Sequence, residues 1–211
     1  MNAEMNVNPP LKIAHTDPAA ELRLASRLYE HIAILPADRP IVIVCLGTDR
    51  STGDSLGPIA GSILRRNWSP AFELFGTLED PVHAMNLSDT LKLIQLKYRR
   101  PFVIGVDACL GKADSVGNVL IGEGPLRPGA GVNKQLPPVG DIHISGVVNI
   151  GGFMEYFVLQ NTRLHLVMRM AELVAEGLLE AIQRRGKLET ACDREPARDW
   201  PSQTNRDGAT L

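Results

Sequence analysis

An unbroken apolar run, Ile41-Val-Ile-Val-Cys-Leu46, dictates most of what this chain can become. Such a run suits a central β-strand covered on both faces. It stops at Gly47, a short polar loop then carries Asp49 and Asp54, and a helix begins near Leu56 to Pro58. In an open α/β sheet the loop at the C-terminal end of such a strand is where ligands and catalytic groups gather.

The pattern then repeats. Residues 58–66 read as a helix, with Pro58 where a missing N–H costs little and with Ile59, Ile63 and Leu64 facing inward. Residues 72–75 form a short strand ended by Gly76, and Leu87, Leu91, Ile94 and Tyr98 mark the apolar face of a second helix capped by Asn86. Phe102-Val-Ile-Gly-Val-Asp107-Ala-Cys109 begins another buried strand. Strand–helix–strand–helix–strand of this kind predicts right-handed parallel βαβ units, and hence an α/β fold with a mostly parallel sheet.

Upstream, Thr16-Asp17-Pro18 starts a helix whose buried stripe is Leu22, Ala25, Leu28 and Ile32. Downstream, residues 118–121 and 142–148 read as strands, separated by a glycine- and proline-rich loop over 122–140. Residues 153–159 fit a short helix or a strand. The longest helix spans 162–185, with Leu164, Val167, Ala171, Val174, Leu178 and Ile182 in period. The expected organisation is one domain over 16–186, an N-terminal arm over 1–15 ordered by docking, and a polar tail over 187–211.

Composition narrows the function classes. Hydrophobic residues make up 44% and charged residues 22% of 211, and the net charge is −2 with no long basic run, so nucleic acid is not an expected partner. The three cysteines, Cys45, Cys109 and Cys192, show no CxxC spacing, and their odd number argues against a disulfide framework. Cys45 reads as a small buried hydrophobe. The N-terminus lacks the regions of a signal peptide, and no apolar run approaches the roughly 20 residues that span a bilayer. These features predict a soluble, reduced, cytoplasmic protein without a membrane partner.

The chemistry is expected where the strands ending at Leu46 and Asp107 lie side by side. With a local strand order of 2-1-3 they are neighbours, about 4.8 Å apart, and their C-terminal ends form the switch-point crevice. Asp54 and Asp107 then converge on one cleft. Two such carboxyls can divide a proton between them and activate water, because each charge raises the pKa of the other. The same pair could hold a divalent metal, with a histidine completing the site. His83, after the second strand, and His143, within a later one, are the candidates, and the tentative ligand set is Asp54, Asp107 and His83. Each aspartate also fits a bland role, Asp54 as a cap or turn residue and Asp107 as a local hydrogen-bonding group. Asp107 is harder to explain away, because an unpaired charge in an apolar strand is expensive. Gly47-Thr-Asp-Arg-Ser-Thr-Gly53 lacks the Gly-Lys-Ser/Thr of a P-loop, and Ser51, Ser55 and Ser145 lack a nucleophile elbow.

Cys45-Leu-Gly-Thr-Asp-Arg-Ser-Thr-Gly-Asp54-Ser-Leu-Gly-Pro58 and Gly105-Val-Asp107-Ala108 resemble the two aspartate-bearing segments of the spore germination protease family. Pro128-Gly-Ala-Gly-Val-Asn-Lys134 resembles its glycine-rich loop, although Arg127 stands where that loop has a histidine. A broader resemblance, from about Arg39 to Arg185, is to the YyaC-type sporulation proteins, and includes Gly76-Thr-Leu-Glu-Asp-Pro-Val-His83 and Gly151-Gly-Phe-Met-Glu-Tyr-Phe157. The resemblance implies the phosphorylase/hydrolase-like three-layer sandwich shared with hydrogenase-maturation endopeptidases, in which the residues matching Asp54 and Asp107 bind the cluster nickel with a histidine. It implies a sporulating cell as the setting and peptide hydrolysis by the aspartate pair as the activity, with a protein or peptide as substrate. A homo-oligomer fits equally well. The alternative is a non-catalytic metal- or peptide-binding regulator of sporulation using the same crevice.

Overall fold

The computed structural model describes residues 10–129 and 136–192. A six-stranded sheet has the order β1-β5-β6-β4-β2-β3, made of β1 (Leu11–Ala14), β2 (Ile41–Cys45), β3 (Glu73–Phe75), β4 (Phe102–Gly111), β5 (Asn118–Glu123) and β6 (Ile142–Ile150). β3, β2, β4 and β6 are mutually parallel, and β5 and β1 extend the sheet in antiparallel fashion beyond β6. The expected 2-1-3 neighbourhood is the β3-β2-β4 part of this order. Its register places Ile43 between Leu74 and Ile104.

All five residues of β2 are buried, and the strand's period of two sends them to two cores. Ile41, Ile43 and Cys45 join Ile104, Val106 and Ile144 beneath α1 (Ala20–Ile32), α2 (Leu56–Arg66) and α5 (Leu164–Cys192). Val42, Val44 and Leu46 face the other way, against Leu87 and Ile94 of α3 (Leu87–Lys97) and against Leu126 and Val139. The architecture is therefore α/β with helices on both faces of a mostly parallel sheet, consistent with a three-layer sandwich. A short α4 (Glu155–Gln160) links β6 to α5 and has no buried residue of its own.

Several local expectations change. Leu22 is 57% exposed and Leu164 56%; the buried stripe of α1 is Ala20, Leu24, Ala25, Leu28 and Ile32. Asn86 precedes α3 without capping it. Its Oδ1 accepts the His83 N–H at 2.8 Å and its Nδ2 donates to the Pro81 carbonyl at 2.9 Å, which fastens the loop ahead of the helix. Leu11–Ala14, within the expected arm, is the edge strand β1, and α5 continues through Gly186 to Cys192. Leu126 and Val139 form an antiparallel bridge inside the expected long loop. The glycine-rich segment over 128–134 lies outside the described residues from Ala130 onward, as do residues 1–9 and 193–211.

Helix α2 lies unusually close to the sheet because two of its inward positions lack side chains. A Cβ on Gly57 would stand 2.1 Å from the Leu46 carbonyl oxygen, and one on Gly61 would stand 1.9 Å from that of Gly76. Neither oxygen belongs to a side chain that could swing away, so a methyl group must push the helix off the sheet. Gly61→Ala should therefore destabilise the protein by on the order of 3 kcal/mol in a urea unfolding titration. Gly186→Ala is the control: a Cβ there meets nothing within 4 Å, and replacing a helical glycine should stabilise by up to about 1 kcal/mol.

Candidate functional site

The site is assembled at the C-terminal ends of β2 and β4. Beyond Cys45 the chain stays in the sheet for one more residue, the Leu46 N–H donating to the Val106 carbonyl at 2.7 Å. The Gly47 N–H then donates to Val82 at 2.9 Å, and Gly47 turns with φ +134°. The turn closes on itself: the Thr48 N–H donates to the Asp54 carbonyl at 3.0 Å, and the Asp54 N–H to the Ser51 carbonyl at 3.0 Å. Gly47 has no substitute, since a Cβ would stand 1.9 Å from that same Asp54 carbonyl oxygen. Gly53–Ser55 form one 3-10 turn that runs directly into α2. Asp54 is thus held by backbone closure on one side and by the close-lying helix on the other.

Asp107 comes from β4, in register with Ser145 of β6, and its Oδ1 accepts the Ala108 N–H at 2.8 Å. Both carboxyls are half-buried. Burial pushes Asp54 up to about 6, and a backbone hydrogen bond from Thr48 opposes the rise. Asp107 is raised well above the ordinary carboxyl range, first by burial and then by the charge of Asp54, against the Ala108 hydrogen bond. The structure therefore brings the two aspartates close enough to act on each other. Asp54 is the one that ionises first, and Asp107 keeps its proton to higher pH.

A third group belongs to the cluster. Cys109 lies two residues beyond Asp107 on the same strand, and its thiol is pushed up to about 11 by burial and by the Asp107 charge. The alternation of a strand puts positions 107 and 109 on one face, which is the signal that would have found it. Ser51 is 8% exposed and its Oγ has no hydrogen-bond partner. It lies inside the Gly47–Asp54 turn, whose backbone it helps to close by accepting the Asp54 N–H at its carbonyl. Cys45, by contrast, is wholly buried, and burial raises its thiol to about 12, as befits a core residue.

The histidines are engaged elsewhere. His83 Nδ1 accepts the Met85 N–H at 3.3 Å, and the residue's own N–H and carbonyl fasten the start of α3. His143 Nδ1 is 3.0 Å from the Gly124 carbonyl oxygen, and its ring lies over Gly122, where a Cβ would stand 2.4 Å from Cε1. Among the described residues no three His, Cys, Asp or Glu side chains are arranged to hold a metal ion, so Asp54, Asp107 and His83 are not gathered as one ligand set. No helix among the described residues is long and apolar enough to cross a membrane.

Comparison with known proteins agrees with the extent of this fold. Residues 12–177 match the family described as Protein of unknown function (DUF1256). The chain is also 57% identical over 166 residues to the Uncharacterized protein YyaC of Bacillus subtilis, a match covering 79% of this chain and 80% of that relative. The matched segment runs from β1 into α5 and holds both Asp54 and Asp107. The chain belongs to the DUF1256 family.

Proposed function

We propose that the protein is a hydrolase of peptide bonds, acting in sporulation, in which Asp54 and Asp107 share one proton. The observation that carries this reading is the coupling of the pair: two half-buried carboxyls at adjoining strand ends, with Asp107 held protonated partly by the charge of Asp54. Above about pH 6 Asp54 is a carboxylate and Asp107 an acid, the division of labour that hydrolysis of an amide requires. The Asp54 carboxylate takes a proton from water as the water oxygen bonds to the carbonyl carbon. Asp107 supplies a proton as the carbon–nitrogen bond breaks, so that the products are a carboxylic acid and an amine. The sporulation setting rests on the resemblance to the YyaC-type proteins, and small acid-soluble spore proteins are the substrates to try first.

Purified protein incubated with such spore proteins should cleave them, and Asp54→Asn and Asp107→Asn should each lower the rate by at least about 100-fold, the usual contribution of a positioned acid or base. The rate should climb with pH through about 6, as Asp54 loses its proton. No cleavage by the unaltered protein, with peptide binding retained, would replace the hydrolase with a binding module.

The burial that raises Asp54 makes a stability prediction. Asp54 has a higher pKa folded than unfolded, so the native state binds the extra proton. Its contribution is fully present below about pH 4 and is lost as pH rises through about 6. Asp54→Asn removes that loss and should make the protein more stable at pH 7.5 by on the order of 2 kcal/mol. Urea denaturation at pH 4.5 and pH 7.5 measures it; an equal or lower stability of the variant at pH 7.5 contradicts the raised pKa.

A further inference from the structure

On the flank of the Asp54 turn a groove of about 420 Å³ runs between α2 and α5. Its floor and walls are Ile59 and Ile63 of α2, Leu164 and Met168 of α5, and Leu78 from the segment after β3, and Asp49 lines it at the turn. Three of the apolar side chains are open to solvent: Leu78 is 42% exposed, Leu164 56% and Met168 36%. Scattered exposed leucines need no explanation, but a concave apolar set does. Leu78 is fixed in place, its N–H donating to Ser62 Oγ on α2 at 2.9 Å.

The groove has a direction. Ser55, Ile59, Ser62, Ile63 and Arg66 recur at helical spacing, so the groove follows one face of α2 from its first turn to its last. At 1.5 Å per residue, Ser55 to Arg66 spans about 16 Å, the reach of about five residues of extended polypeptide. Its two ends carry opposite charge, with Asp49 beside the turn and Arg66 at the far end of the helix. The Arg66 side chain forms no ion pair or hydrogen bond among the described residues.

We propose that this groove binds an extended polypeptide of about five residues, with apolar side chains over Ile59, Ile63 and Met168 and a carboxylate on Arg66, delivering the following chain to the Asp54 turn. The proposal deepens the hydrolase reading by naming how its substrate is held, and it rests on that reading only for what happens after binding. An apolar floor excludes a folded polar surface. The unpaired guanidinium at one end asks for an acidic residue, for which a planar, bidentate fork is suited.

Fluorescence anisotropy tests the groove apart from any cleavage. The probes are fluorescein-labelled hexapeptides with two central leucines and a glutamate at either the N- or the C-terminal end, matched by versions with glutamine in place of glutamate. One glutamate peptide should bind saturably and bind about tenfold more weakly once its leucines become alanines. Arg66→Glu should weaken that peptide about tenfold and leave its glutamine version unchanged, and Met168→Glu should weaken both. Asp54→Asn should bind as the unaltered protein does; binding by the unaltered protein without cleavage sinks the hydrolase while keeping the groove. No saturable binding, or binding indifferent to both Arg66→Glu and Met168→Glu, overturns the groove. A dimer in light scattering that Met168→Glu dissociates also overturns it, because the groove would then be filled by a second copy of the chain.

Discussion

Everything at the site depends on how closely α2 can approach the ends of β2 and β3. The Leu46 and Gly76 carbonyls occupy the space where Gly57 and Gly61 would otherwise carry a Cβ, and the Asp54 carbonyl occupies that space at Gly47. Three glycines thus remove the layer of side chains that ordinarily separates a helix from a strand end. The consequence is electrostatic. Asp54 is drawn down to the level of β4, where Asp107 stands, instead of projecting from a loop into water. Asp54 there loses hydration, which raises its own pKa, and its charge adds to burial in raising that of Asp107.

That arrangement is costly to the fold at neutral pH, and the cost is informative. A half-buried carboxylate without a cationic partner contributes nothing to stability, and neither Asp54 nor Asp107 has an ion pair among the described residues. Several other charges are paired at the surface, as Arg23 is with Asp17 and Arg184 with Glu180. Strain concentrated at one place, within an otherwise consistent structure, is what a functional site looks like.

Much of the fold was legible in the sequence because its signals are periodic. The five-residue run of β2 and the alternation of helix and strand specify a parallel sheet, and Asp54 and Asp107 stand out as candidates because parallel strands end their loops on one side. Periodicity fails where it must decide the width of a stripe: Leu22 and Leu164 lie in helices of the right period but on the edge that faces water. It also misses β1, a four-residue edge strand in which only Ile13 is buried. Gly186 reads as a helix stop, yet nothing crowds it and α5 continues past it. The path of a loop is not periodic at all, which is why His83 could be proposed beside the aspartates although its backbone and Nδ1 serve the start of α3. Cys109 was within reach of the two-residue strand repeat, but a cysteine two places from an aspartate has no meaning until the strand's face is known to line the cleft.

The central claim is that Asp54 and Asp107 titrate as a coupled pair, and carbon-13 NMR of their side-chain carboxyls across pH 2–9 measures this most directly. The account predicts that Asp54 titrates near 6 and Asp107 above it, with the Asp107 resonance sensing the ionisation of Asp54. Two independent titrations near 4, the ordinary carboxyl value, would contradict it.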